Sequence, residues 1–187
     1  MAKRVNVIAL VGMPGAGKTV AADHLRERGY PVIRFGESVV NEILRRGLPL
    51  NPENEQQVRS ELRQVHGMDV MAKMALPLIQ AALKRRNPVV VDGLYSFSEY
   101  KRLREEFGDS LVVIAIAAPR KVRYLRLASR PVRPFSRKEA EQRDYHEIEN
   151  IEKGGPIAIA DYTVVNDQGT ETLQKKIDRL LEQAIET

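Results

Sequence analysis

VNVIALV at residues 5–11 runs directly into GMPGAGKT at residues 12–19. The second segment matches the pattern G-x-x-x-x-G-K-[ST] without exception. Its glycines let the backbone curl so that successive N–H groups point into one anion-sized hollow, next to the positive end of the following helix. An apolar strand before the pattern and a helix after it are the context that this motif requires. The sequence therefore predicts a phosphate-binding loop, made of Gly12, Met13, Pro14, Gly15, Ala16, Gly17, Lys18 and Thr19.

Three side chains in and near this loop have specific roles in the prediction. Lys18 would reach the β- and γ-phosphates of ATP, and the Thr19 hydroxyl would coordinate Mg²⁺. A second group on the metal side should come from a neighbouring strand. Asp92 ends the apolar run 89–91, which is the acidic position expected of a Walker B strand. The alternative is that Asp92 only caps the turn with Gly93.

Strand-like and helix-like segments alternate along the whole chain. The predicted strands are residues 5–11, 31–35, 89–92, 111–117 and 162–165. Five predicted helices are residues 17–28, 36–46, 98–107, 119–129 and 170–185. Two more are predicted after Asn51; they are split at Gly67, and the second should be kinked at Pro77. One amphipathic helix is predicted within residues 130–155. This alternation predicts an α/β fold in three layers, with a five-stranded parallel sheet. Ligands of such folds bind beyond the carboxyl ends of the strands.

Composition excludes several other classes of protein. The chain has 187 residues, which fits one domain, and it has no cysteine, so disulfides, cysteine zinc sites and thiol nucleophiles are excluded. The three histidines lie far apart without ligand spacing. No run approaches the ~20 apolar residues that cross a bilayer, and the apolar run behind the basic N-terminus is too short for a targeting signal. We therefore expect a cytoplasmic protein. The net charge of +5 is spread along the chain and makes nucleic acid an improbable partner.

Several further segments occur in an order that is known from one group of enzymes. Gly36-Glu37 follows the second strand, Asp92-Gly93 follows the third, and Arg126-Leu127-x-x-Arg130 leads into a basic segment. With the phosphate loop, this order resembles the nucleoside monophosphate kinases and the dephospho-coenzyme A kinases. The chain resembles most closely the adenylate-kinase-related P-loop proteins common in archaea. That closer resemblance is carried by three stretches, residues 46–54, 62–72 and 142–167.

The resemblance implies a kinase with two mobile parts. Residues 1–36, 87–128 and 156–187 would form the core, residues 37–86 an acceptor-binding arm and residues 129–155 a lid. It also implies that Arg126 and Arg130 face the transferring phosphates, and that Asn166 forms a wall of the base pocket. The lid arginines that would close over the phosphates are Arg133, Arg137 and Arg143. The alternative for all of these arginines is a solvated basic face.

The chain departs from the monophosphate kinase pattern at two places. That family has Gly-Asp-x-x-Arg after the second strand and Asp-Gly-x-x-Arg after the third, whereas here the segments are GESVV at 36–40 and DGLYS at 92–96. Both arginines that grip the acceptor phosphate are therefore missing. The candidates to replace them are Arg34, Arg45, Arg59 and Arg63.

Glu37 occupies the position where dephospho-coenzyme A kinases have an acid that takes the proton of the acceptor hydroxyl. It is therefore a candidate general base, which we expect to lie next to the phosphate loop. The alternative is an exposed acid in the first turn of a helix, which is common.

Three functions are consistent with these features. The first is a Mg·ATP-dependent kinase of a small metabolite, with a nucleotide, a nucleoside-like molecule or a dephospho-coenzyme A-like molecule as acceptor. The second is a slow ATPase that acts as a regulatory switch, which the missing acceptor arginines favour. The third is a nucleic-acid binder or end-kinase, which only the net charge of +5 supports.

Overall fold

A central five-stranded sheet organises the protein, in a computed structural model that describes residues 5–86, 88–131 and 133–186. The strands are β1 (Val7–Val11), β2 (Val32–Arg34), β3 (Val89–Asp92), β4 (Leu111–Ala117) and β5 (Tyr162–Val165). They are all parallel, in the order β2-β3-β1-β4-β5. Val7 is in register with Val89 on one side and with Leu111 on the other. The predicted α/β fold with a five-stranded parallel sheet is confirmed.

Helices cover both faces of the sheet. They are α1 (Lys18–Glu27), α2 (Phe35–Arg45), α3 (Pro52–His66), α4 (Val70–Leu83), α5 (Phe97–Phe107), α6 (Arg120–Ala128), α7 (Arg137–Glu149), α8 (Gly154–Ala158) and α9 (Thr170–Glu186), with a short 3₁₀ turn at Gly108–Ser110. Most of the predicted elements are found within a few residues of their expected ends. α4 continues past Pro77 to Leu83.

The core has two halves, one on each face of the sheet. Val7, Ala9 and Val11 pack on the face covered by α2, α3, α4 and α5, and Ile8 and Leu10 pack on the face covered by α1 and α9. Because both faces of β1 are covered, all five of its residues are buried. This explains why the strand is a continuous apolar run without polar alternation.

Polar side chains define where several helices begin. The Asn51 side chain accepts a hydrogen bond from the Asn54 backbone at 2.8 Å, which caps α3. Ser96 and Ser136 form capping boxes at the starts of α5 and α7 with Glu99 and Glu139. Each of these bonds satisfies a backbone N–H that has no partner inside its helix.

Two sequence-based expectations about the architecture were wrong. α7 was expected to be amphipathic, but its buried residues are Ala140, Asp144 and Glu147, so its inward face is mostly charged. Glu37, which follows β2, was expected next to the phosphate loop, but β3 lies between β1 and β2. Glu37 therefore lies one strand further from that loop than expected.

None of the helices in the described ranges is both long and apolar enough to cross a membrane.

Candidate functional site

The phosphate loop connects β1 to α1 at the carboxyl edge of the sheet. Gly12 has φ 145° and Gly17 has φ 110°, both in the region that favours glycine. A Cβ on Gly12 would collide with the backbone carbonyl oxygen of Ile116, and a Cβ on Gly17 with the side-chain amide of Asn166. The two glycines are therefore needed for close packing against β4 and the residue after β5, as well as for the turn.

Lys18 places its ammonium group over this loop. Its Nζ donates hydrogen bonds to the carbonyl oxygens of Gly12 at 2.7 Å and Met13 at 3.1 Å. Burial and the nearby Lys153 ammonium lower the Lys18 pKa from 10.5 to about 7. Within the described residues, no carboxylate forms an ion pair with Lys18. The ammonium is thus poorly solvated and lacks a counterion, which is the condition in which it gains most from a bound anion.

Asp92 and Thr19 are the two residues predicted to act on the metal side of the phosphate loop. Asp92 ends β3 with 13% of its side chain exposed, and its Oδ2 lies 3.3 Å from Arg34 Nε. Burial raises the Asp92 pKa, although Arg34 and Lys18 act in the opposite direction. Thr19 is exposed in the first turn of α1. Within the described ranges, no group of three or more His, Cys, Asp or Glu side chains could hold a metal ion by itself.

Asn166 joins the end of β5 to the phosphate loop. Its backbone N–H donates to the Ala117 carbonyl at 2.7 Å, and its side-chain Nδ2 donates to the Ala16 carbonyl at 2.8 Å. Its Oδ1 accepts a hydrogen bond of 3.3 Å from Arg126 Nη2. The other terminal nitrogen of Arg126, Nη1, is buried without a hydrogen-bond partner in the described structure. Arg126 therefore has an unused N–H donor beside the phosphate loop.

The remaining candidates from the sequence, four arginines and Glu37, differ in their exposure and contacts. Arg130 is exposed, but it is near enough to contribute to the lowered pKa of Lys18. Arg133 and Arg137 are exposed at the surface, whereas Arg143 donates to Glu147 Oε1 at 2.8 Å. Glu37 is exposed in the first turn of α2 and forms no hydrogen bond or ion pair with another described residue.

The four candidate replacements for the missing acceptor arginines fall into two groups. Arg34 pairs with Asp23 at 2.7 Å as well as with Asp92, and the exposed Arg45 pairs with Glu42 at 2.7 Å. Arg63 is largely buried and has one long contact of 3.5 Å with Glu99. Arg59 is half-buried and has no ion pair among the described residues. Of these four, the two arginines of α3 are therefore the ones without a short ion pair.

A buried ion pair beneath the loop was missed by the sequence analysis. Arg123 of α6 forms a bidentate pair with Asp144 of α7, at 2.8 and 2.6 Å, and its Nη1 also donates to the Pro14 carbonyl at 3.0 Å. The two side chains are 8% and 7% exposed. The pair anchors α7 to the phosphate loop. Nothing in the sequence distinguishes Arg123 from the other arginines of α6, although Asp144 lies in one of the stretches that carry the resemblance.

Lys153 was also missed, and it is among the most buried side chains of the protein. It is 1% exposed, its ammonium pairs with the Glu147 carboxylate, and it lies 4.5 Å from the centre of the Tyr95 ring. Burial by itself would raise the Glu147 pKa, but Lys153 and Arg143 together lower it below its usual value. The turn that carries Lys153 has two unusual features: Glu152 has φ 58°, and Gly155 packs so closely on Phe97 that a Cβ would not fit.

Comparisons with known proteins agree with this description of the loop and the fold. The AAA domain family matches residues 8–152. A UPF0200/UPF0201 protein of Archaeoglobus fulgidus is 39% identical over 97% of this chain, and this chain spans 56% of that protein's length. A UPF0200 protein of Thermococcus onnurineus is 34% identical, over 96% of this chain and 98% of its own.

Solved structures of small-molecule kinases share the fold at low sequence identity. A shikimate kinase from Acinetobacter baumannii aligns with a TM-score of 0.59 at 18% identity, over 98% of this chain and 95% of its own. A gluconokinase from Sinorhizobium meliloti aligns with a TM-score of 0.58 at 18% identity, over 100% and 96%. A dephospho-CoA kinase from Campylobacter jejuni aligns with a TM-score of 0.54 at 15% identity, over 97% and 98%. The fold is therefore P-loop kinase-like.

Proposed function

Since this chain belongs to the UPF0200 family and carries a P-loop AAA domain, we propose that it is a phosphotransferase that uses Mg·ATP. Its acceptor is a small metabolite, and a nucleotide or nucleoside-like molecule is the class we favour. The observation that carries the proposal is the state of Lys18. Its ammonium is poorly solvated over the loop, hydrogen-bonded only to the Gly12 and Met13 carbonyls, and without a paired carboxylate in the described structure.

The neighbouring cations suit phosphoryl transfer. That reaction needs little beyond positioning of the phosphates and positive charge at their oxygens. Lys18 would hold the β- and γ-phosphates, and Arg126, with its unpartnered Nη1, would contact the transferred group. Arg130 at the rim would add charge as the nucleotide arrives. Asn166 would form part of the base pocket while it holds the loop through Ala16.

Mg²⁺ would be held mainly by the phosphates themselves, because the protein offers few ligands. The Thr19 hydroxyl and the Asp92 carboxylate are the two protein groups in the proposed set, and Asp92 would act on the metal side after exchanging its contact with Arg34. Bound Mg²⁺ supplies charge neutralisation between the β- and γ-phosphates. The residues fit that modest role.

Glu37 remains our candidate for the group that takes the acceptor's proton. Its exposure and its lack of a partner leave its carboxylate free to meet an acceptor that binds over the first turn of α2. A loose transition state needs little help from a base, so its contribution should be modest.

Core, arm and lid are proposed with the same boundaries as above, namely an arm at 37–86 and a lid at 129–155. The Arg123–Asp144 pair bears on the lid, because it anchors α7 to the loop. We therefore propose that α7 stays anchored on the loop and that closure involves the parts of the lid outside α7.

Two other functions remain candidates. A dephospho-coenzyme A-like acceptor is suggested by the similar fold of a dephospho-CoA kinase. A slow ATPase that acts as a regulatory switch is favoured by the missing arginines at GESVV, 36–40, and DGLYS, 92–96. In that case the nucleotide state would control a partner and no acceptor would be phosphorylated.

ADP release measured with a panel of acceptors separates these candidates. The panel consists of nucleoside monophosphates, nucleosides and dephospho-coenzyme A, with Lys18→Ala as the inactive reference and circular dichroism to check that its fold is intact. A kinase should release ADP at least about tenfold faster with its acceptor than without, and Lys18→Ala should abolish both rates. Turnover by Lys18→Ala equal to that of the wild type would refute the proposal. Nucleotide turnover that no acceptor accelerates would favour the switch.

A further inference from the structure

A second group of basic side chains lies around Tyr95, apart from the residues of the phosphate loop. Tyr95 lies three residues after Asp92, at the carboxyl end of β3, and its ring lies under the Lys153 ammonium at 4.5 Å. Its backbone N–H donates to Glu99 Oε2 at 2.7 Å. Glu99 in turn contacts Arg63 of α3 at 3.5 Å. Contacts therefore run without a gap from α3, through the start of α5 and Tyr95, to Lys153.

The same chain of contacts continues into α7. Lys153 pairs with the Glu147 carboxylate, and the second oxygen of that carboxylate accepts a hydrogen bond of 2.8 Å from Arg143. Arg59 lies four residues before Arg63 on α3, and residues with this spacing share one face of a helix. We call Arg59, Arg63, Arg143 and Lys153 together the Tyr95 cation cluster.

This cluster has more positive charge than its carboxylates can neutralise. Glu99 and Glu147 are the two acids that contact three of its cations, Arg63, Arg143 and Lys153. Glu99 is fully buried, and its Oε2 already accepts from the Tyr95 and Ser96 backbone N–H groups. Glu55, one turn before Arg59, acts on Arg59 electrostatically and raises its pKa, but it forms no ion pair with it in the described structure. An excess of about two positive charges therefore remains in a partly buried place, which is unfavourable unless an anion binds.

Two of the cations have unused donors. Arg63 has 11% of its side chain exposed, and its Nε is buried without a hydrogen-bond partner among the described residues. Arg59 is half-buried without any ion pair, and burial together with the charges of Arg63 and Arg143 lowers its pKa. Guanidinium groups bind carboxylate and phosphate through paired N–H donors, so these two side chains provide donors as well as charge.

We propose that the Tyr95 cation cluster is the acceptor site, and that it takes an acceptor bearing an anionic group, either a phosphate or a carboxylate. This inference rests on the proposed phosphotransferase function. The cluster lies beside the phosphate loop, because Tyr95 follows the strand next to β1 and because Lys153 is close enough to Lys18 to act on its charge. An anion bound there would bring the acceptor's hydroxyl or phosphate towards the γ-phosphate.

Arg59→Gln is the most informative variant. Because Arg59 has no ion pair, the change removes one charge and leaves no buried carboxylate without a partner, so folding should be little affected. Arg85→Gln is the matched control, because Arg85 is exposed after α4 and also forms no ion pair in the described ranges. Arg59→Lys keeps the charge but loses the paired donors.

The experiment is a titration of inorganic phosphate, and separately of acetate, into the protein saturated with Mg·AMP-PNP, so that the phosphate loop is already filled. Calorimetry and NMR of the arginine Nε–H groups report binding. We expect at least one of the two anions to bind, about tenfold more weakly to Arg59→Gln, with an intermediate loss for Arg59→Lys and no change for Arg85→Gln. The anion that binds more tightly distinguishes a phosphorylated acceptor from a carboxylic acid.

The cluster is refuted as an anion site if Arg59→Gln binds both anions as tightly as the wild type, or if neither anion binds the wild type. Failure of Mg·AMP-PNP itself to bind would refute the proposed function instead. In that case, phosphate titration of the Lys18→Ala protein, with and without Arg59→Gln, tests the cluster by the same comparison.

Discussion

Binding of Mg·AMP-PNP should transfer a proton from solution to Lys18. In the free protein, burial and the Lys153 ammonium lower the Lys18 pKa to about 7. An anion over the loop stabilises the charged ammonium and raises this pKa again, towards or above 10.5. Lys18 is largely neutral above pH 7 in the free protein and charged in the complex, so the proton uptake on binding must increase as the pH rises.

The size of the effect follows from the two pKa values. With a free value of about 7, uptake should be about 0.1 proton at pH 6, about 0.5 at pH 7 and about 0.9 at pH 8. Affinity should fall up to about tenfold per pH unit above pH 7, since one pKa unit corresponds to about 1.4 kcal/mol. Without nucleotide, Lys18 takes up a proton on unfolding at any pH between its folded and its unfolded pKa, about 7 and 10.5. The penalty of the buried charge is therefore fully present below pH 7 and is relieved as the pH rises.

Calorimetry in two buffers of different ionisation enthalpy measures the number of protons taken up. Lys18→Arg is the control, because a guanidinium stays charged throughout this range and should reduce the uptake at pH 8 to below about 0.3 proton. The residual uptake in that variant reports other groups, including Lys153. The reasoning is wrong if the wild type binds Mg·AMP-PNP at pH 8 without proton uptake, or if Lys18→Arg takes up as much as the wild type.

Three further outcomes are expected. Glu37→Gln should reduce acceptor-dependent turnover by about 10²-fold and leave Mg·ATP affinity unchanged, because the amide cannot accept a proton. Steady-state assays measure this turnover. A loss of less than about threefold with every active acceptor would remove Glu37 from the mechanism. Asp144→Ala should lower the free energy of unfolding by about 3–5 kcal/mol, because it leaves Arg123 buried without its counterion. Chemical denaturation measures this loss. The double variant Asp144→Ala, Arg123→Met should recover at least half of the lost free energy. Hydrogen exchange should find the α7 amides protected with and without Mg·AMP-PNP, because the Arg123–Asp144 pair anchors this helix to the phosphate loop. Fast exchange of the α7 amides in the free protein would instead support a lid that moves as one piece.

The fold and the phosphate loop could be predicted because their signals are local. Residues 5–19 contain a strand, a loop and the start of a helix in one continuous segment, and each of the other buried strands is a short apolar run. Apolar runs of this length between helical segments leave few arrangements other than a parallel sheet covered on both faces. Gly12 and Gly17 could be assigned to the loop for the same reason, since the pattern itself requires them.

Strand order was beyond the reach of these local signals. The sequence placed Glu37 at the end of the second strand, but only the structure showed that β3 separates β2 from β1. Hydrophobic runs identify strands without identifying their neighbours, because neighbouring strands are joined by backbone hydrogen bonds that any residue but proline can donate.

Charged contacts across the fold were decided by tertiary structure alone. Arg123 meets Asp144, Arg63 meets Glu99, and Lys153 meets Glu147 beside Tyr95. In the sequence, these side chains have the pattern of a solvated face, because the charge of a residue gives no indication of which distant charge will neutralise it. Burying a charge is favourable only where its partner arrives in the right geometry. That condition depends on helices that meet only when the chain has folded. It is why the phosphate loop was predicted from the sequence, while Lys153 and the grouping of the Tyr95 cation cluster were not.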